Sequence, residues 1–320
     1  MTDTNRVNTE KARSLLRELV HGQMAGPGEY DVGIPGVTLY RIEQPTKEAA
    51  HLYKPMIVKM IQGHKGVVTG VGEYHYGEND ILVTGVDMPG VIVKCEASPD
   101  APSTALVIDL DKNLIAQLAL EIPRGLPNAD ATFRGILVQP LEAAMLDAFV
   151  RLAELFVTPE RAPVLAPMII REIHYLLLIG PNGQSLISFC TPGSQSNQIF
   201  QAINWLKQNI TSAVQIEELA EKAHMAPSTF HRHFKEITAL SPIQYQKRLR
   251  LHEAQRLMLV HGMDVGSAGS AVGYDNLSQF NREYKRLFGD SPRRDVKKLM
   301  DETILSKPLK PGMQYGLPSF

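Results

Sequence analysis

Two segments fifty residues apart carry polar side chains that could bind the bases of a nucleic acid. Segments 227–242 and 277–292 are identical at six of sixteen aligned positions, which indicates an internal duplication. The identical pairs are Ser228/Ser278, Phe230/Phe280, Arg232/Arg282, Lys235/Lys285, Ser241/Ser291 and Pro242/Pro292. Because arginine can bind guanine through two hydrogen bonds, and asparagine or glutamine can bind adenine, the duplication predicts two copies of one base-contacting surface.

The candidate contact residues cluster near the start of each copy. Eight side chains are candidates for contacts with base edges: Ser228, Thr229, His231, Arg232, Ser278, Gln279, Asn281 and Arg282. Four cations are candidates for contacts with phosphates: Lys235, Arg248, Lys285 and Arg286. An exposed polar helix face is the alternative interpretation of either copy alone. Because arginine and lysine recur in register, we favour double-stranded DNA as the partner.

Few other residues have the type and spacing of a chemical site. A metal site needs clustered histidines and carboxylates, and the candidates here lack a closely spaced histidine pair. These candidates are His64, Glu73, His75 and Glu78. Cys95 and Cys190 are interpreted as buried and inert, because a redox sensor must be exposed with a low pKa. No nucleophilic triad, phosphate loop or dinucleotide fingerprint occurs, so we predict no catalytic residues, metal or cofactor.

The duplicated segments have helical apolar spacing that would turn their polar residues outward. In each copy one apolar stripe precedes a short turn, at 224–226 or 273–275, and a second stripe follows it. Two short amphipathic helices joined by a tight turn form a helix-turn-helix unit. The residues predicted to face inward are Ile216, Leu219, Ala220, Ala223, Phe230, Phe234, Ile237, Val265, Ala268, Val272, Phe280, Tyr284 and Leu287.

A further helix is predicted between the two units. Segment 242–259 has helical apolar spacing, and Ser241 with Pro242 is typical of a helix start. Its eighteen residues would span about 27 Å, and adjacent major grooves on one face of DNA repeat at roughly 34 Å. The linker helix could therefore place both units in successive grooves. Its basic residues are predicted to be exposed: Lys247, Arg248, Arg250 and Arg256.

The N-terminal half has the pattern of a β-rich domain followed by helices. Short runs rich in β-branched residues alternate with glycine and proline, which is typical of a sandwich or barrel. The predicted strands are 37–42, 56–61, 67–71, 81–86, 91–95 and 105–110. After Asp111 the apolar spacing changes to three and four residues, which indicates helices. The Gly/Pro-rich segment 22–36 is interpreted as a linker or arm, and a domain boundary is expected near 192–197.

Charge is distributed unevenly along the 320 residues. The net charge is −1, but residues 201–300 hold 15 Lys and Arg against 10 Asp and Glu, whereas the remainder has a net charge of −6. Such asymmetry points to nucleic-acid contact, and a charged face that is only solvated is the alternative interpretation of this observation alone. Two cysteines cannot build a disulfide framework. The most apolar stretch, 168–180, is short for a membrane span and contains charged residues. We therefore expect a soluble cytoplasmic protein that does not enter a membrane.

These motifs resemble a known family. Residues 197–300 are similar to the DNA-binding domain of the AraC/XylS family of bacterial transcription regulators, chiefly at 216–220, 228–235 and 272–293. Residues 36–190 resemble, less tightly, the sensor and dimerisation domain of an AraC-type subgroup, which is a cupin-like barrel with helices. The resemblance implies two helix-turn-helix units joined by a linker helix.

Two departures from the family pattern concern helix stability. Ala226 stands where the family often has a serine cap, and losing such a cap costs about 1 kcal/mol. Gly266 and Gly269 fall in the supporting helix of the second unit, where each glycine costs up to about 1 kcal/mol relative to alanine. We expect packing, rather than intrinsic propensity, to hold that helix.

The predicted fold class is α+β: a cupin-like β-barrel with packing helices, then an all-α domain of two helix-turn-helix units. The predicted domains are an N-terminal arm (1–35), an effector-binding and dimerisation domain (36–193), a DNA-binding domain (194–300) and a tail (301–320). The expected function is sequence-specific regulation of transcription, controlled by a small-molecule effector in the barrel. The expected partners are promoter or operator DNA, RNA polymerase and a second copy of the chain.

Two alternatives stay open on the sequence. One is a cupin-like metal-dependent isomerase or oxygenase with an appended DNA-binding module. The other is a constitutive DNA-binding protein whose barrel serves only for dimerisation. Stoichiometric metal in the purified protein would favour the first alternative, and a barrel filled with side chains would favour the second.

Overall fold

Strands and helices follow one another in the predicted order of a β-rich part and a helical part. A computed structural model describes residues 3–45, 49–70, 72–122 and 134–304. The strands are β1 (Gly28–Asp31), β2 (Val37–Ile42), β3 (Ala49–Tyr53), β4 (Met56–Gln62), β5 (Lys65–Thr69), β6 (Gly72–Tyr76), β7 (Asp80–Thr84), β8 (Met88–Cys95), β9 (Ser103–Asp109) and β10 (Ile136–Pro140). The helices of the N-terminal part are α1 (Asp3–His21), α2 (Lys112–Glu121), α3 (Ala143–Glu154), α4 (Ala162–Ile179) and α5 (Gly183–Cys190). Those of the C-terminal part are α6 (Gln195–Gln208), α7 (Ile216–Lys222), α8 (Pro227–Thr238), α9 (Pro242–His261), α10 (Val265–Ala271), α11 (Leu277–Phe288) and α12 (Pro292–Ile304).

The strands form two antiparallel sheets. The larger sheet has the order β1-β2-β9-β4-β7-β10, and the smaller has the order β3-β8-β5-β6. The six predicted strands are all present, as β2, β4, β5, β7, β8 and β9. Strand side chains such as Ile57, Val83 and Leu106 are fully buried between the layers. The sheets remain separate within the described residues, so the predicted barrel is a pair of open sheets.

Four strands are not predicted by the sequence pattern: β1, β3, β6 and β10. β1 lies inside segment 22–36, which the sequence analysis interprets as a linker or arm. Its residues instead pair with β2 at the edge of the larger sheet, with Glu29 opposite Tyr40. The conformation of a short edge strand depends on its neighbour, so residue types alone do not reveal β1.

α1 covers the larger sheet. Leu16 and Val20 on its inner side are buried in the core, and the helix packs against α3 and β4. Arg17 donates to the carboxylate of Glu78 (2.8 Å), which fastens the helix to the loop between β6 and β7. The amphipathic stretch that the sequence predicts at residues 11–21 is therefore part of the N-terminal domain.

α4 is apolar and long enough to cross a membrane when only its length and composition are considered. The core helix of a soluble protein passes the same test, so this finding is weak evidence for a membrane segment. Ala166, Ile173 and Leu177 bury one side of α4 in the N-terminal core, whereas its other side carries exposed apolar side chains.

Both predicted helix-turn-helix units are present. α7 and α8 form the first unit, α10 and α11 form the second, and α9 lies between them. α9 begins with a capping box in which Ser241 and Gln244 bind each other's backbone, so the predicted helix start is confirmed. Ala226 makes no side-chain capping bond to α8, as its residue type predicts. Leu287 is only half-buried, although the other predicted anchors of α11 are fully buried.

The apolar core divides within α9. One continuous cluster runs from the N-terminal domain through the first unit and ends at Leu249. A second cluster begins at Leu251 and contains the buried side chains of the second unit. The first unit is therefore packed as part of the N-terminal body, while the second unit has a small core of its own.

Gly269 lies in close contact with the second helix of the second unit. A Cβ atom at this position would lie 3.2 Å from the ring of Phe280, the buried anchor of α11. Asp264 compensates in part for the low helix propensity of α10, because its carboxylate accepts from the backbone amides of Gly266 (2.9 Å) and Ser267 (3.0 Å). Packing against Phe280 and the Asp264 cap therefore stabilise α10, and the role of packing was expected from the sequence.

The basic residues of α9 are engaged within the chain rather than exposed, which corrects the prediction from the sequence. Lys247 donates to Glu283 (2.9 Å), and Arg256 donates to both carboxylate oxygens of Glu253. Arg248 is half-buried. Lys247 thus binds an acceptor on α11, which packs against α9, whereas Arg256 binds an acceptor one turn earlier in α9 itself.

Arg250 joins the two helix-turn-helix units. Its Nε donates to the carbonyl of Ile210 (2.6 Å) and its Nη2 to the carbonyl of Ser212 (3.1 Å), both in the loop before α7. Its Nη1 donates to the carbonyl of Gly273 (3.2 Å), in the turn of the second unit. Gln246, one helical turn earlier, also donates to Ser212 (2.8 Å). These bonds fix the first unit, α9 and the second unit relative to one another.

The close approach of the two units requires a glycine at 273. Gly273 has a φ of +86°, a left-handed conformation that other residues rarely adopt. A Cβ atom here would lie 3.1 Å from both the Cα and the carbonyl oxygen of Thr211, which are backbone atoms. Gly289 has a φ of +85° but no atom within 4 Å of the equivalent position. Both glycines therefore have the same left-handed φ, but only Gly273 has backbone atoms close to the position of a Cβ atom.

The N-terminal domain packs against both units. Asp87, which is 3% exposed, accepts from Lys207 of α6 (3.0 and 3.1 Å), and its carbonyl accepts from Tyr245 of α9 (2.5 Å). At the end of α8, Gly70 lies so close to Ala239 that a Cβ atom would not fit. β3 packs against α11 of the second unit.

A buried histidine lies at this boundary. His252 of α9 is 2% exposed and packs edge-on against Phe288 of α11, with ring centroids 5.1 Å apart. Its Nδ1 has no hydrogen-bond partner among the residues that the structure describes. Burial, followed by the charges of His51 and Arg248, lowers the pKa of His252 to about 3. The imidazole is therefore neutral at physiological pH.

Gly273→Ala should destabilise the protein more than Gly289→Ala. Both substitutions place alanine in a left-handed conformation, at a cost of about 1–2 kcal/mol. Only Gly273→Ala adds a clash with Thr211, and overpacking typically costs about 1–3 kcal/mol more. Urea unfolding followed by circular dichroism measures the two free energies of unfolding. Equal losses in the two variants would contradict the proposed contact between the units.

Acidification should destabilise the folded chain through His252. The unfolded chain takes up a proton at this residue near pH 6.5, whereas the folded chain resists protonation down to about pH 3. The unfolded state binds more protons in this window, so the free energy of unfolding should fall by about 2 kcal/mol between pH 7 and pH 5.

Urea unfolding at these two pH values tests the effect of His252. His252→Gln should lose less stability on acidification than the wild type, because glutamine does not titrate. His64→Gln replaces a histidine whose side chain is 55% exposed, and this control should behave like the wild type. The same acid loss in His252→Gln and in the wild type would show that His252 is not the responsible group.

Candidate nucleic-acid interface

α8 and α11 are amphipathic helices with equivalent inner anchors. Phe230 and Phe234 of α8, and Phe280 and Tyr284 of α11, are all 0% exposed. The anchors within each helix are four residues apart, so they occupy one side and leave the opposite side to polar residues. The duplication in the sequence is therefore a duplication in structure, as predicted.

The outer side of α8 carries its predicted contact residues. Ser228, His231 and Arg232 are exposed, and Thr229 is half-buried. Lys235, a phosphate candidate, is also exposed. The base candidates lie in the first two turns of the helix, which is the part that a recognition helix presents to base edges.

Glu236 moderates the positive charge of this face. Its carboxylate hydrogen-bonds to Nδ1 of His233 (2.9 Å) and lies 4.0 Å from Nε of Arg232. Nη2 of Arg232 is also 3.4 Å from Nε2 of His233. Because the Arg232 side chain is 66% exposed, water screens these contacts and the guanidinium can exchange them for a ligand.

The predicted contact residues of α11 differ in exposure. The exposed ones are Ser278, Arg282, Lys285 and Arg286. Gln279 and Asn281 are half-buried, and the amide of Gln279 donates to Glu283 (3.1 Å). Asn276 caps the helix by accepting from the backbone amide of Gln279 (3.0 Å). Two of the four base candidates on α11 are therefore exposed, compared with three of the four on α8.

Glu283 is a positioning residue that the sequence analysis missed. Its carboxylate accepts from Lys247 of α9 (2.9 Å), from Gln279 (3.1 Å) and from Tyr274 in the turn (2.8 Å). Burial acts to raise the pKa of Glu283, but these three hydrogen bonds outweigh burial and lower it. An acidic residue in a basic helix suggests solvent exposure, so helical spacing gives no signal of this role.

Two sets of cations complete the surface. Arg248, a predicted phosphate contact, is half-buried, and burial lowers the pKa of its guanidinium. Arg293, Arg294 and Lys297 are exposed at the start of α12. From the sequence, Ser291-Pro292 is interpreted only as a helix start, and the exposed cations just after it are not among the predicted contacts.

The candidate metal ligands lie in separate ion pairs. His75 contacts Glu73 (2.9 Å), His64 lies 3.9 Å from Glu96, and Glu78 accepts from α1. Within the described part of the chain, no group of three or more His, Cys, Asp or Glu could hold a metal ion.

The two cysteines are buried, as the sequence predicts. Neither Cys95 nor Cys190 is in a disulfide. Burial raises the pKa of Cys190 to about 12, so the reactive thiolate is scarcely populated at neutral pH. The structure therefore gives Cys190 the inert environment expected of a structural cysteine.

Two family models match the chain. Residues 33–185 match the N-terminus of AraC-type transcriptional regulators. Residues 219–298 match a helix-turn-helix domain. Together these segments cover more than two thirds of the chain, and each lies in the part of the chain where the sequence analysis expects it.

Curated relatives match over the length of one domain. The HTH-type transcriptional activator RhaS of Yersinia pestis (strain Pestoides F) is 31% identical over 99 residues, which are 31% of this chain and 36% of that protein. RhaS of Yersinia pseudotuberculosis serotype O:1b (strain IP 31758) matches with the same values. The chain thus spans about a third of the length of these relatives.

Solved structures of similar fold cover most of the chain. Unsaturated fatty acid bound wild-type ToxT from Vibrio cholerae strain SCE256 has a TM-score of 0.56 and 10% identity, covering 81% of this chain and 94% of that chain. ToxT from Vibrio cholerae O395 bound to (E)-4-(8-methylnaphthalen-1-yl)but-3-enoic acid has a TM-score of 0.56 and 12% identity, covering 82% and 98%. At such low identity the likeness establishes the fold alone.

Sequence, fold and comparisons agree on one assignment. The duplicated motif forms two helix-turn-helix units, and a two-sheet domain precedes them. Both parts match family models in the expected order, and the ToxT structures share the arrangement across both. The chain belongs to the AraC/XylS family of transcription regulators.

Proposed function

We propose that the protein is a cytoplasmic regulator of transcription that binds specific DNA sequences. The observation that carries this proposal is the pair of helices α8 and α11, which repeat an exposed arginine and lysine above equivalent buried aromatics. A single such helix could be an ordinary polar surface. Two of them in one domain, joined through Arg250, suit binding to successive major grooves.

The first turns of α8 and α11 would enter the major groove. Arg232 and Arg282 suit guanine, and Gln279 and Asn281 suit adenine. The remaining base candidates are Ser228, Thr229, His231 and Ser278. The phosphate candidates are Lys235, Arg248, Lys285 and Arg286, which would fix orientation without reading sequence.

The relatives support this proposal. RhaS is named a transcriptional activator, and the chain matches it over about a third of its length. We propose that this chain also regulates transcription, because the sequence match and the paired helices α8 and α11 both indicate DNA binding. The proposed partners are promoter or operator DNA, RNA polymerase and a second copy of the chain.

We infer that the protein is not an enzyme and needs no cofactor. The alternative of a metal-dependent enzyme with a DNA-binding module gains no support from the N-terminal domain, where the candidate ligands contact separate partners. Catalytic metal sites require several ligands that converge on one point. The relatives named for an activity are activators of transcription.

We infer that the N-terminal domain responds to a small carboxylic acid. The two ToxT structures contain an unsaturated fatty acid and a naphthalenyl butenoic acid. In this chain Lys207 binds the buried carboxylate of Asp87, and the same carboxylate acts electrostatically on Lys54 and Lys112, so three lysines lie near one buried anion. Burial lowers the pKa of Lys112 to about 8. A bound carboxylate would stabilise the charged form of these lysines.

Asp87 connects these lysines to a recognition helix. Tyr245 donates to its carbonyl (2.5 Å), and the Tyr245 ring packs edge-on against Phe234 of α8 with centroids 5.5 Å apart. An anion that competes for Lys207 would weaken the Asp87 ion pair. Such a ligand would shift the population of domain arrangements and thereby the affinity for DNA.

Selection from random DNA should return a preferred sequence, and two substitutions in α11 should then separate base contacts from phosphate contacts. Arg282→Ala should relax the preference at one position and cost about 1–3 kcal/mol of binding free energy, whereas Lys285→Ala should weaken all sequences alike. Fluorescence anisotropy with the selected duplex and single-base variants measures both effects.

Lys11→Ala is the control for these measurements, because Lys11 is exposed on α1, outside the predicted interface. It should bind DNA like the wild type. Equal, sequence-independent losses from Arg282→Ala and Lys285→Ala would contradict the base contact assigned to Arg282. The absence of any preferred sequence for the wild type would overturn the proposed function.

An unsaturated fatty acid should change the affinity of the wild type for its selected duplex. With oleate as the probe, we expect about a fivefold or larger change in Kd. Asp87→Asn removes the charge that holds Lys207, so it should bind DNA but show a smaller response. Asp100→Asn, in an exposed loop, is the control and should keep the full response. No response of the wild type to oleate or to a metabolite pool would favour the constitutive alternative.

A further inference from the structure

Lys65 lies on the inner face of the smaller sheet. It begins β5, and it is directly opposite Cys95 of β8 on one side and Tyr76 of β6 on the other. Residues opposite one another in antiparallel strands have their side chains on the same face of the sheet. Cys95 and Tyr76 are 2% and 3% exposed, so this face is turned inward. Lys65 is half-buried at the end of its strand, where a small molecule can reach it.

Lys65 differs from the other lysines that are desolvated in the fold. Within the described residues, burial lowers the pKa of four lysines: Lys54, Lys59, Lys65 and Lys112. In the other three, at least one carboxylate acts in the opposite direction and favours the charged amine. At Lys65 the group that does so is the thiol of Cys95. No carboxylate therefore holds this amine in its charged form.

Two tyrosines beside Lys65 keep their protons. Burial is the main cause that raises the pKa of Tyr53 and of Tyr76, and Cys95 adds to it. Because Cys95 acts on Lys65 as well, the four side chains share one neighbourhood. The Tyr53 hydroxyl has no hydrogen-bond partner among the residues that the structure describes, although the residue is 3% exposed. A buried hydroxyl without a partner gains from an acceptor that a ligand supplies.

His51 is a second base in this neighbourhood. Its ring packs edge-on against Tyr53 with centroids 4.6 Å apart, and burial, followed by the charge of Lys65, lowers its pKa to about 4. The imidazole is therefore neutral at physiological pH. Burial thus favours the uncharged forms of the amine, the imidazole and both phenols. Such a site suits a neutral carbonyl compound better than an anion, because burial disfavours the positive charge that would bind an anion.

We propose that Lys65 binds a small aldehyde covalently, as an imine, at a site formed with His51, Tyr53, Tyr76 and Cys95. Desolvated lysines are the amines that form Schiff bases with carbonyl compounds in proteins. Asp87 does not act on the amine of Lys65, so the site is separate from the ion pair of Asp87 with Lys207.

The neighbouring side chains can move the protons of this reaction. The Lys65 nitrogen bonds to the carbonyl carbon, the carbonyl oxygen takes the proton of the Tyr53 hydroxyl, and the nitrogen gives one proton to His51. The new hydroxyl group then takes that proton from His51 and leaves as water, while the nitrogen lone pair forms the C=N bond. The Tyr53 oxygen takes the last nitrogen proton. One amine and one aldehyde thus give one imine and one water, and no oxidant is needed.

The site borders the second helix-turn-helix unit. His51 acts on His252 of α9, whose ring packs against Phe288 of α11, and β3 itself packs against α11. An alkyl group beside His51 would change this packing and thereby the affinity for DNA. This consequence rests on the proposed function, whereas the reaction of Lys65 does not.

Reductive trapping tests the reaction. The wild type is incubated at neutral pH with butanal and sodium cyanoborohydride, which converts an imine into a stable secondary amine, and peptide mapping by mass spectrometry locates the product. Lys11, exposed on α1, is the internal control. An exposed lysine is almost fully protonated at this pH, so Lys65 should be alkylated at least about tenfold faster than Lys11.

Two variants test the assigned roles. Tyr53→Phe removes a hydroxyl without a partner, so it should unfold in urea like the wild type, but alkylation of Lys65 should be at least about tenfold slower. Lys65→Arg keeps a cation that cannot form an imine. Butanal should change the affinity of the wild type for its selected duplex by about fivefold or more, and it should not affect Lys65→Arg. Lys11→Arg is the matched control and should respond like the wild type.

Alkylation of Lys65 no faster than that of Lys11 would overturn the proposal, and an unchanged rate in Tyr53→Phe would overturn the role of that hydroxyl. Butyrate tests for an anion of similar size. A response of DNA affinity to butyrate that Lys65→Arg retains, without alkylation by butanal, would replace the aldehyde by a carboxylate. Rapid alkylation of Lys65 in a protein that selects no DNA sequence would overturn the regulator function and leave the aldehyde site standing.

Discussion

The hydrogen bonds of Arg250 are the constraint on which the relation of the two recognition helices depends. A guanidinium offers several donors in fixed planar directions, so it can bind carbonyls from separate segments at once. Here the acceptors lie in the loop before α7 and in the turn of the second unit. Gly273 lets these segments approach, because only a glycine leaves room beside the Thr211 backbone. The length of α9 limits the separation of the units, and Arg250 sets their mutual orientation.

The N-terminal domain contacts this assembly in two different ways. It shares one apolar core with the first unit, which makes that part of the boundary difficult to open. It meets the second unit through β3 and beside the neutral His252, outside that shared core. The ion pair of Asp87 with Lys207 lies beside the shared core, where Tyr245 donates to the carbonyl of Asp87. The second unit therefore lies outside the apolar core that joins the N-terminal domain to the first unit.

Sequence patterns predict the parts of this fold whose apolar spacing repeats. The aromatic anchors of α8 and α11, the capped start of α9 and six strands all follow from local spacing and residue type. β1 and β3 do not, because both are edge strands whose conformation depends on a neighbour: β1 pairs with β2, and β3 pairs with β8, which lies far along the chain. The open form of the two sheets is likewise a property of strand pairing rather than of any one strand.

The sequence by itself determined the family, the duplicated motif and the buried aromatic anchors of α8 and α11, because helical period and residue type are local properties. Only the tertiary structure decided which cations remain available for a ligand. Lys247, Arg250 and Arg256 have the same local pattern as exposed arginines and lysines, yet each is engaged by acceptors within the fold. The N-terminal core also extends into the first unit, and only the tertiary structure shows this, because burial depends on which surfaces meet in space.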